Sequence, residues 1–349
     1  MNKKVSAIIL GIETSCDETA AAVVQQKGGK FFIKANVVWS QIKIHQKYGG
    51  VVPEVAARNH IKNILPVISQ ALIEAKIKPK QIDKIAVTVG PGLITSLLIG
   101  VQTAKTLAYS WQKPIYPINH LKAHLYVNWL KNRPIKLPAI ALIVSGGHTE
   151  LILVKDKNRL KKIGQTLDDA AGEAFDKVAQ LLKIGYPGGP IVSRLAAKGN
   201  AHAFDFPRPM TDSNNFNFSF SGLKTAVLYT LKKSQPENKA LTADICASFQ
   251  QAVVDVLAKK TIKAGLHFGA KTVILSGGVA ANQLLRQTLE KKTGNLKLDF
   301  LMPAINLCTD NAVMIALAAN FAEKKPWRKL KECCAWREKP SLCSTTRKV

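Results

Sequence analysis

Four stretches of the chain are almost continuously apolar: AIILGIETS (7–15), IAVTVGPG (85–92), IALIVSGGHTE (140–150) and TVILSGGVAAN (272–282). Each is rich in Ile and Val and stops abruptly at a small or glycine-rich turn. That pattern predicts buried strands whose C-terminal ends meet a ligand. Helical periodicities fill the intervals, so the chain reads as α/β with two similar halves. The triplet SGG follows a strand twice, at 145–147 and 276–278, and hints at an internal duplication of βα units.

The pattern also suggests boundaries. A first lobe spans 1–117 and closes near the proline-punctuated KPIYPIN. A second spans 118–309 and holds the metal and nucleotide residues considered below. A helix over 310–322 crosses back onto the first lobe, and 323–349 forms a basic, proline-broken tail.

Length supports this division, because 349 residues exceed one ordinary core and suggest two lobes of about 150 residues each. Hydrophobic residues make up 47 % of the chain, enough for substantial cores. No run reaches the roughly 18 unbroken apolar residues of a membrane span. The start, MNKKVSAIILGIETS, is basic, but Glu13 and Asp17 follow its short apolar run, which speaks against a signal peptide. Six cysteines without paired CxxC spacing indicate a reduced, cytoplasmic protein. The formal charge is +27, from 50 basic and 23 acidic residues. Such an excess suits a polyanionic partner, although a lysine-rich codon usage would produce it too.

Candidate chemistry then becomes specific. In NHLKAHLYVNWL (119–130), His120 and His124 stand four residues apart, so both imidazoles leave one side of a helix and could grip one ion. Leu121 fills the place where the peptidase signature His-Glu-x-x-His needs its Glu. Asp310, in LCTDNAVMIALAANF, could be a third ligand or simply the N-cap of the following helix. Three turns could approach phosphate: GIETSCDET (11–19), VSGGHT (144–149) and SGGVAAN (276–282). In TLDDAAGEAFDKVAQLL (166–182), Asp169, Glu173 and Asp176 share one helical face. Dipole capping accounts for acids of the first turn such as Asp168 and Asp169, but not for Asp176, which suits a ribose or amine.

Taken together, ETSCDET, HQKYGGVVPEVAARNH, GPGLITSLLIG, NHLKAH, VSGGHTE, DDAAGEAFDKVA, YPGGP, FSFSGLKTA, SGGVAAN and CTDNAVMIA resemble the TsaD/Gcp family, in its order and spacing over residues 5–322. These are the tRNA N6-adenosine threonylcarbamoyltransferases, and GGVVPE and AGEAFDKVA resemble the bacterial branch. The resemblance implies a two-lobed actin/Hsp70/sugar-kinase-like (ASKHA) fold. It implies one metal per subunit, Fe(2+) or sometimes Zn, on His120, His124 and Asp310. It implies substrate contacts from Val144, Ser145, Gly146, Gly147, His148, Asp176, Gly189 and Asn282. The reaction implied moves threonylcarbamoyl from threonylcarbamoyl-AMP to N6 of the adenosine 3′ of the anticodon, in tRNAs reading codons that start with A. Partners implied are tRNA, an inactive TsaB-like paralogue docking through the first lobe, a TsaE-like P-loop ATPase and a synthase of the adenylate. For the proton acceptor, Asp17 or Glu13 is the candidate. Two departures are visible: the tail only faintly echoes the family's ending, and Ser193 stands where many members have Asp. The rival readings are a metallopeptidase and a nucleotide-gated binding module without group transfer.

Overall fold

The computed structural model describes residues 6–131, 134–157, 159–233 and 239–325. Among these, the residues up to Pro134 and from Thr309 onward form one compact unit, and Ile135–Cys308 the other.

In the first unit, β1 (Ser6–Glu13), β2 (Glu18–Lys27) and β3 (Lys30–Ser40) make an antiparallel meander. After α1 (Ile42–His45) and α2 (Pro53–Ala75), β4 (Lys84–Gly90) joins β1 in parallel. Next come α3 (Ile94–Ser110), β5 (Ile115–Asn119), parallel to β4, and α4 (His120–Tyr126). The sheet order is β3-β2-β1-β4-β5. Pro53 opens α2, where a missing N–H costs nothing and a fixed φ suits the helix. Leu10, Ile12 and Val87 of the sheet pack with Ile64, Ile68 and Val101 of α2 and α3.

The second unit repeats this plan. Its antiparallel meander is β6 (Ala139–Val144), β7 (Thr149–Val154) and β8 (Leu160–Gln165). There follow α5 (Ala171–Leu181), α6 (Gly188–Ala196), α7 (Ser221–Lys233) and α8 (Lys239–His267). Then β9 (Thr272–Ser276) joins β6 in parallel, and α9 (Gln283–Asn295) leads to β10 (Asp299–Leu301). The order β10-β9-β6-β7-β8 is that of the first sheet read from its other edge. Over Ala240–His267, α8 is long and apolar enough for a bilayer by length and composition, yet it is mostly buried. Its Phe249, Val253 and Leu257 belong to the core of this unit.

The repeated topology confirms the α/β duplication but not through the two SGG triplets. Residues 145–147 turn the β6–β7 hairpin, so their counterpart is the turn after Glu13. Residues 276–278 follow β9, the counterpart of β4, so they correspond to Gly90–Gly92. Both latter turns press on the neighbouring hairpin. Gly92 (φ +157°) has room for a β-carbon only 2.6 Å from the Ser15 carbonyl oxygen, and Gly277 (φ +92°) only 2.3 Å from that of Val144.

The expected boundary at 117/118 also moves. IYPIN is the fifth strand of the first sheet, and Pro117 is tolerated there because β5 is an edge strand. The division falls at Pro134, which leaves α4 and both its histidines in the first unit. The helix after CTDN is α10 (Ala312–Ala318), and it returns to this same unit. Of the expected tail, residues 326–349 lie outside the described residues.

Contact between α10 and β1 is close enough to require glycine. A β-carbon on Gly11 would stand 2.3 Å from the Ala312 carbonyl oxygen and 2.9 Å from the Ala316 amide. Gly11→Ala should therefore force two backbones apart, costing about 1–3 kcal/mol as overpacked cores do. Thermal unfolding of the variant beside wild type checks this, and an unchanged melting temperature would contradict it.

Candidate metal centre and glycine loop

The candidate metal ligands start from local structure. The strand β5 ends at Asn119, whose side-chain oxygen accepts from the Lys122 amide at 3.0 Å and so starts α4 immediately. One turn then separates His120 from His124, and their rings lie 4.7 Å apart at 86°. Asp310 comes from the segment before α10. The N-cap of α10 is Asn311, whose oxygen accepts from the Met314 amide at 3.1 Å. Asp310 is thereby released from the capping role that its position suggested.

All three residues converge. Asp310 Oδ1 lies 3.1 Å from His124 Nε2 and 3.4 Å from His120 Nε2. One donor atom from each residue falls within 4.8 Å of the others, the spread of a single-ion site. Both imidazoles are buried, His120 at 7 % and His124 at 1 % exposure. Two neutral nitrogens and one carboxylate oxygen suit Fe(II) or Zn(II) alike. The donor set and its spread fit a single ion.

Glu13 stands behind His120. It is wholly buried, and its Oε2 lies 3.2 Å from His120 Nδ1. The same oxygen accepts from Thr88 Oγ1 at 2.5 Å, and Oε1 accepts from the Ser15 amide at 2.5 Å. Ser15 Oγ also sits 3.2 Å from His120 Nδ1. A metal-bound imidazole needs such an acceptor for its other N–H, which fixes tautomer and orientation.

Electrostatics follow the burial. Burial alone would depress the His120 pKa, but the carboxylates of Asp310 and Glu13 outweigh it and raise it well above the ordinary value. For His124, burial prevails over the Asp310 hydrogen bond and pushes the pKa down. Burial would raise Asp310, yet the two histidines hold its carboxyl far below the usual range. Nearby, burial and the charge of Asp17 push the Cys16 thiol far up. Burial and Asp17 likewise raise Glu18. Asp17 itself is 8 % exposed, and its carbonyl accepts from the Gln41 amide at 3.0 Å.

In the second unit, Val144 ends β6 and is buried, whereas Gly146 and Gly147 are exposed at the hairpin turn. Ser145 N donates to His148 O at 2.8 Å, and His148 N donates to Ser145 Oγ at 3.1 Å. The start of α5 closes on this loop. Gly172 N donates to Ser145 O at 3.1 Å, and Ala171 N donates to Thr149 Oγ1 at 2.9 Å. A β-carbon on Gly146 or Gly147 would meet no protein atom within 4 Å, so any need for glycine there comes from a ligand.

The other expected contacts are more committed. Asp176 Oδ1 accepts from the Gly188 amide at 2.7 Å at the start of α6, while Gly189 has open space on its Cβ side. Asn282 caps α9 through the Leu285 amide at 3.0 Å. Its Nδ2 donates to Ser193 Oγ at 3.0 Å and Gln250 Oε1 at 2.7 Å. Ser193, a departure from the family pattern, is therefore a direct partner of one of these residues. The acidic stripe changes meaning too. Because α5 starts at Ala171, Asp168 and Asp169 precede it. Asp168 accepts from the Phe220 and Ser221 amides, at 2.8 and 3.3 Å, and so caps α7. Asp169 and Glu173 both pair with Lys177, at 2.6 and 2.8 Å.

Each unit thus carries the duplicated sheet of an ASKHA protein, with a two-histidine, one-carboxylate centre in the first. Solved structures share the fold. HypF of T. kodakarensis superposes with a TM-score of 0.61 at 16 % identity, over 92 % of this chain and 48 % of that one. Component A of the Acidaminococcus fermentans (R)-2-hydroxyglutaryl-CoA dehydratase superposes at 0.53 and 18 % identity, over 94 % and 99 %. Residues 32–317 match the family TsaD: tRNA N6-adenosine threonylcarbamoyltransferase. The enzyme of that name from Syntrophomonas wolfei is 50 % identical over 90 % of this chain and 92 % of its own length. The Thermosipho africanus enzyme is 51 % identical over 91 % and 95 %. The chain belongs to the tRNA N6-adenosine threonylcarbamoyltransferase family, and it is a transferase.

Two substitutions separate ligand from cap. Asp310→Ala should lower metal occupancy, read by metal analysis after dialysis, and should also destabilise the metal-free protein by removing the carboxylate partner of His120. Asn311→Ala should cost about 1 kcal/mol of stability, as N-cap losses do, and leave metal binding nearly intact. Metal loss in Asn311→Ala with none in Asp310→Ala would contradict the site.

Proposed function

We infer that this chain moves the threonylcarbamoyl group from threonylcarbamoyl-AMP to N6 of the adenosine 3′ of the anticodon, in tRNAs reading codons that start with A, and releases AMP. The observation that carries this reading is the convergence of His120, His124 and Asp310 in a chain of this family. These three residues would hold the ion, Fe(2+) by the family resemblance, with Zn an equal fit to the donors. When bound, the ion supplies Lewis-acid polarisation of the acyl carbonyl. Glu13 holds the His120 imidazole by its Nδ1 side. Being wholly buried with both oxygens engaged, it is better suited to that task than to taking a proton from the amine. That leaves Asp17 as the candidate base.

Gly146 and Gly147 let the 144–148 loop approach the adenylate phosphate, and their N–H groups can stabilise negative charge as it develops. Asp176 and Gly189 would flank the nucleoside. Asn282 would act by fixing Ser193 and Gln250, since its amide is already occupied. The excess of 27 positive charges suits tRNA. The cysteine usage fits the cytoplasm.

The partner surface has a candidate as well. Ile61, Ile64 and Leu65 of α2 and Leu98, Ile99 and Leu107 of α3 line an apolar groove of about 490 Å³ on the first unit. Ile61 and Leu65 are 64 % and 61 % exposed, which suits docking of the inactive paralogue. A TsaE-like ATPase would act on that assembly. Leu65→Glu should abolish co-elution with the paralogue in gel filtration while metal content stays at the wild-type level. Co-elution of the variant would place the contact elsewhere.

Activity is tested by incubating the protein with ATP, threonine, bicarbonate, unmodified tRNA and the partner enzymes. Modified adenosine supports transfer. Cleaved casein would support a peptidase, for which Leu121 replaces the needed Glu, and ADP alone would support a binding module. In the same assay Gly146→Val or Gly147→Val should abolish adenylate binding without changing the melting temperature. Unchanged adenylate affinity in both would reduce this loop to an ordinary turn.

A further inference from the structure

The turn between β1 and β2 is gripped by the start of α3 and the residue before it. Thr14 and Ser15 are buried within it. Thr14 Oγ1 donates to the Ser96 carbonyl at 2.9 Å, in the first turn of α3. Leu93 N donates to the Ser15 carbonyl at 2.7 Å. One turn further along α3, Gly100 faces Thr14 so closely that a β-carbon would stand 2.3 Å from Thr14 Oγ1 and 3.3 Å from its Cγ2. Thr14 is a short, β-branched, hydrogen-bonded side chain and has no long arm to swing aside. An added methyl at residue 100 must therefore displace Thr14 or break its bond to Ser96.

The same turn carries the two groups that face His120 Nδ1. They are Glu13 Oε2 and Ser15 Oγ, each 3.2 Å away. Thr14 lies between them in the chain, so any displacement at Thr14 reaches both partners of the imidazole. We propose that Gly100 is a positioning residue for the metal centre: its missing side chain lets α3 seat Thr14, and so sets where Glu13 and Ser15 hold His120. This rests on the reading of His120, His124 and Asp310 as metal ligands. Ala is a better helix former than Gly, so α3 itself gains from Gly100→Ala, and a loss at the metal comes from the contact with Thr14.

The test uses the full-length protein, stripped of metal and titrated with Co(II), with Gly100→Ala, Thr14→Ala, the double variant and His120→Ala. The affinity of Gly100→Ala should fall about tenfold or more, the range seen when the orienting partners of a ligand are disturbed. Its visible Co(II) absorption and the shifted exchangeable imidazole resonance of the bound protein should change as well. Neither of these readouts moves when stability alone is lost. Thr14→Ala vacates the space, so the double variant should recover to within a few-fold of Thr14→Ala. If Gly100→Ala does not fold, Thr14→Ala carries the test: it should bind Co(II) more weakly than wild type with an altered spectrum, and wild-type affinity and spectrum in it overturn the proposal. Wild-type affinity and spectrum in Gly100→Ala overturn it, and so does a folded double variant that stays as weak as the single one. Wild type failing to bind Co(II), or His120→Ala binding as tightly as wild type, sinks the metal reading itself and this inference with it.

Discussion

Two buried imidazoles facing one carboxylate constrain the first unit more than any other contact. Polar groups taken out of water must find partners, and charged ones must be matched. Here the matching is layered. Asp310 lies within 3.4 Å of both Nε2 atoms, and Glu13 with Ser15 occupies the Nδ1 side of His120. The near side is then held from behind: Glu13 by Thr88, and the histidines by the Asn119 cap. Without that outer layer the ligands would be present but badly aimed, a difference that metal sites feel strongly.

The duplicated sheet explains how one plan produces two unlike ligand sets. In both units a hairpin follows the central strand, and just past the parallel strand beside it a positive-φ glycine presses on the hairpin. In the first unit the hairpin turn carries Glu13, Thr14 and Ser15 and serves His120. In the second it carries Ser145, Gly146, Gly147 and His148 and leaves two glycines exposed. A buried turn with carboxylate and hydroxyl groups orients ligands, whereas an exposed turn with bare backbone can receive an anion. The same backbone geometry thus supports different chemistry because of what occupies three or four positions.

The histidine pair was legible because its geometry is local: four residues on a helix share a face whatever the fold. The α/β class and the four buried strands were legible for the same reason, through short-range pattern. What could not be read depends on long-range pairing. Glu13 and His120 are 107 residues apart, and only the order of β1, β4 and β5 makes one the support of the other. Asn282 and Asp168 show the complement, since their motifs were visible but their partners, Ser193 with Gln250 and the start of α7, were not. The lobe boundary was misplaced because proline in KPIYPIN reads as punctuation, while on an edge strand it interrupts nothing. Asp310 lost its expected capping role because an adjacent Asn can cap as well, and sequence alone does not choose between neighbours.

The central claim is that a single ion is held by His120, His124 and Asp310, with no sulfur among its ligands. X-ray absorption at the metal edge of the loaded wild-type protein addresses that directly. The account predicts two imidazoles and oxygen donors in the shell, with metal–nitrogen distances of about 2.0–2.1 Å as for protein-bound Zn. A sulfur scatterer at about 2.3 Å, from Cys16 or Cys308, or a shell with fewer than two imidazoles, would contradict it.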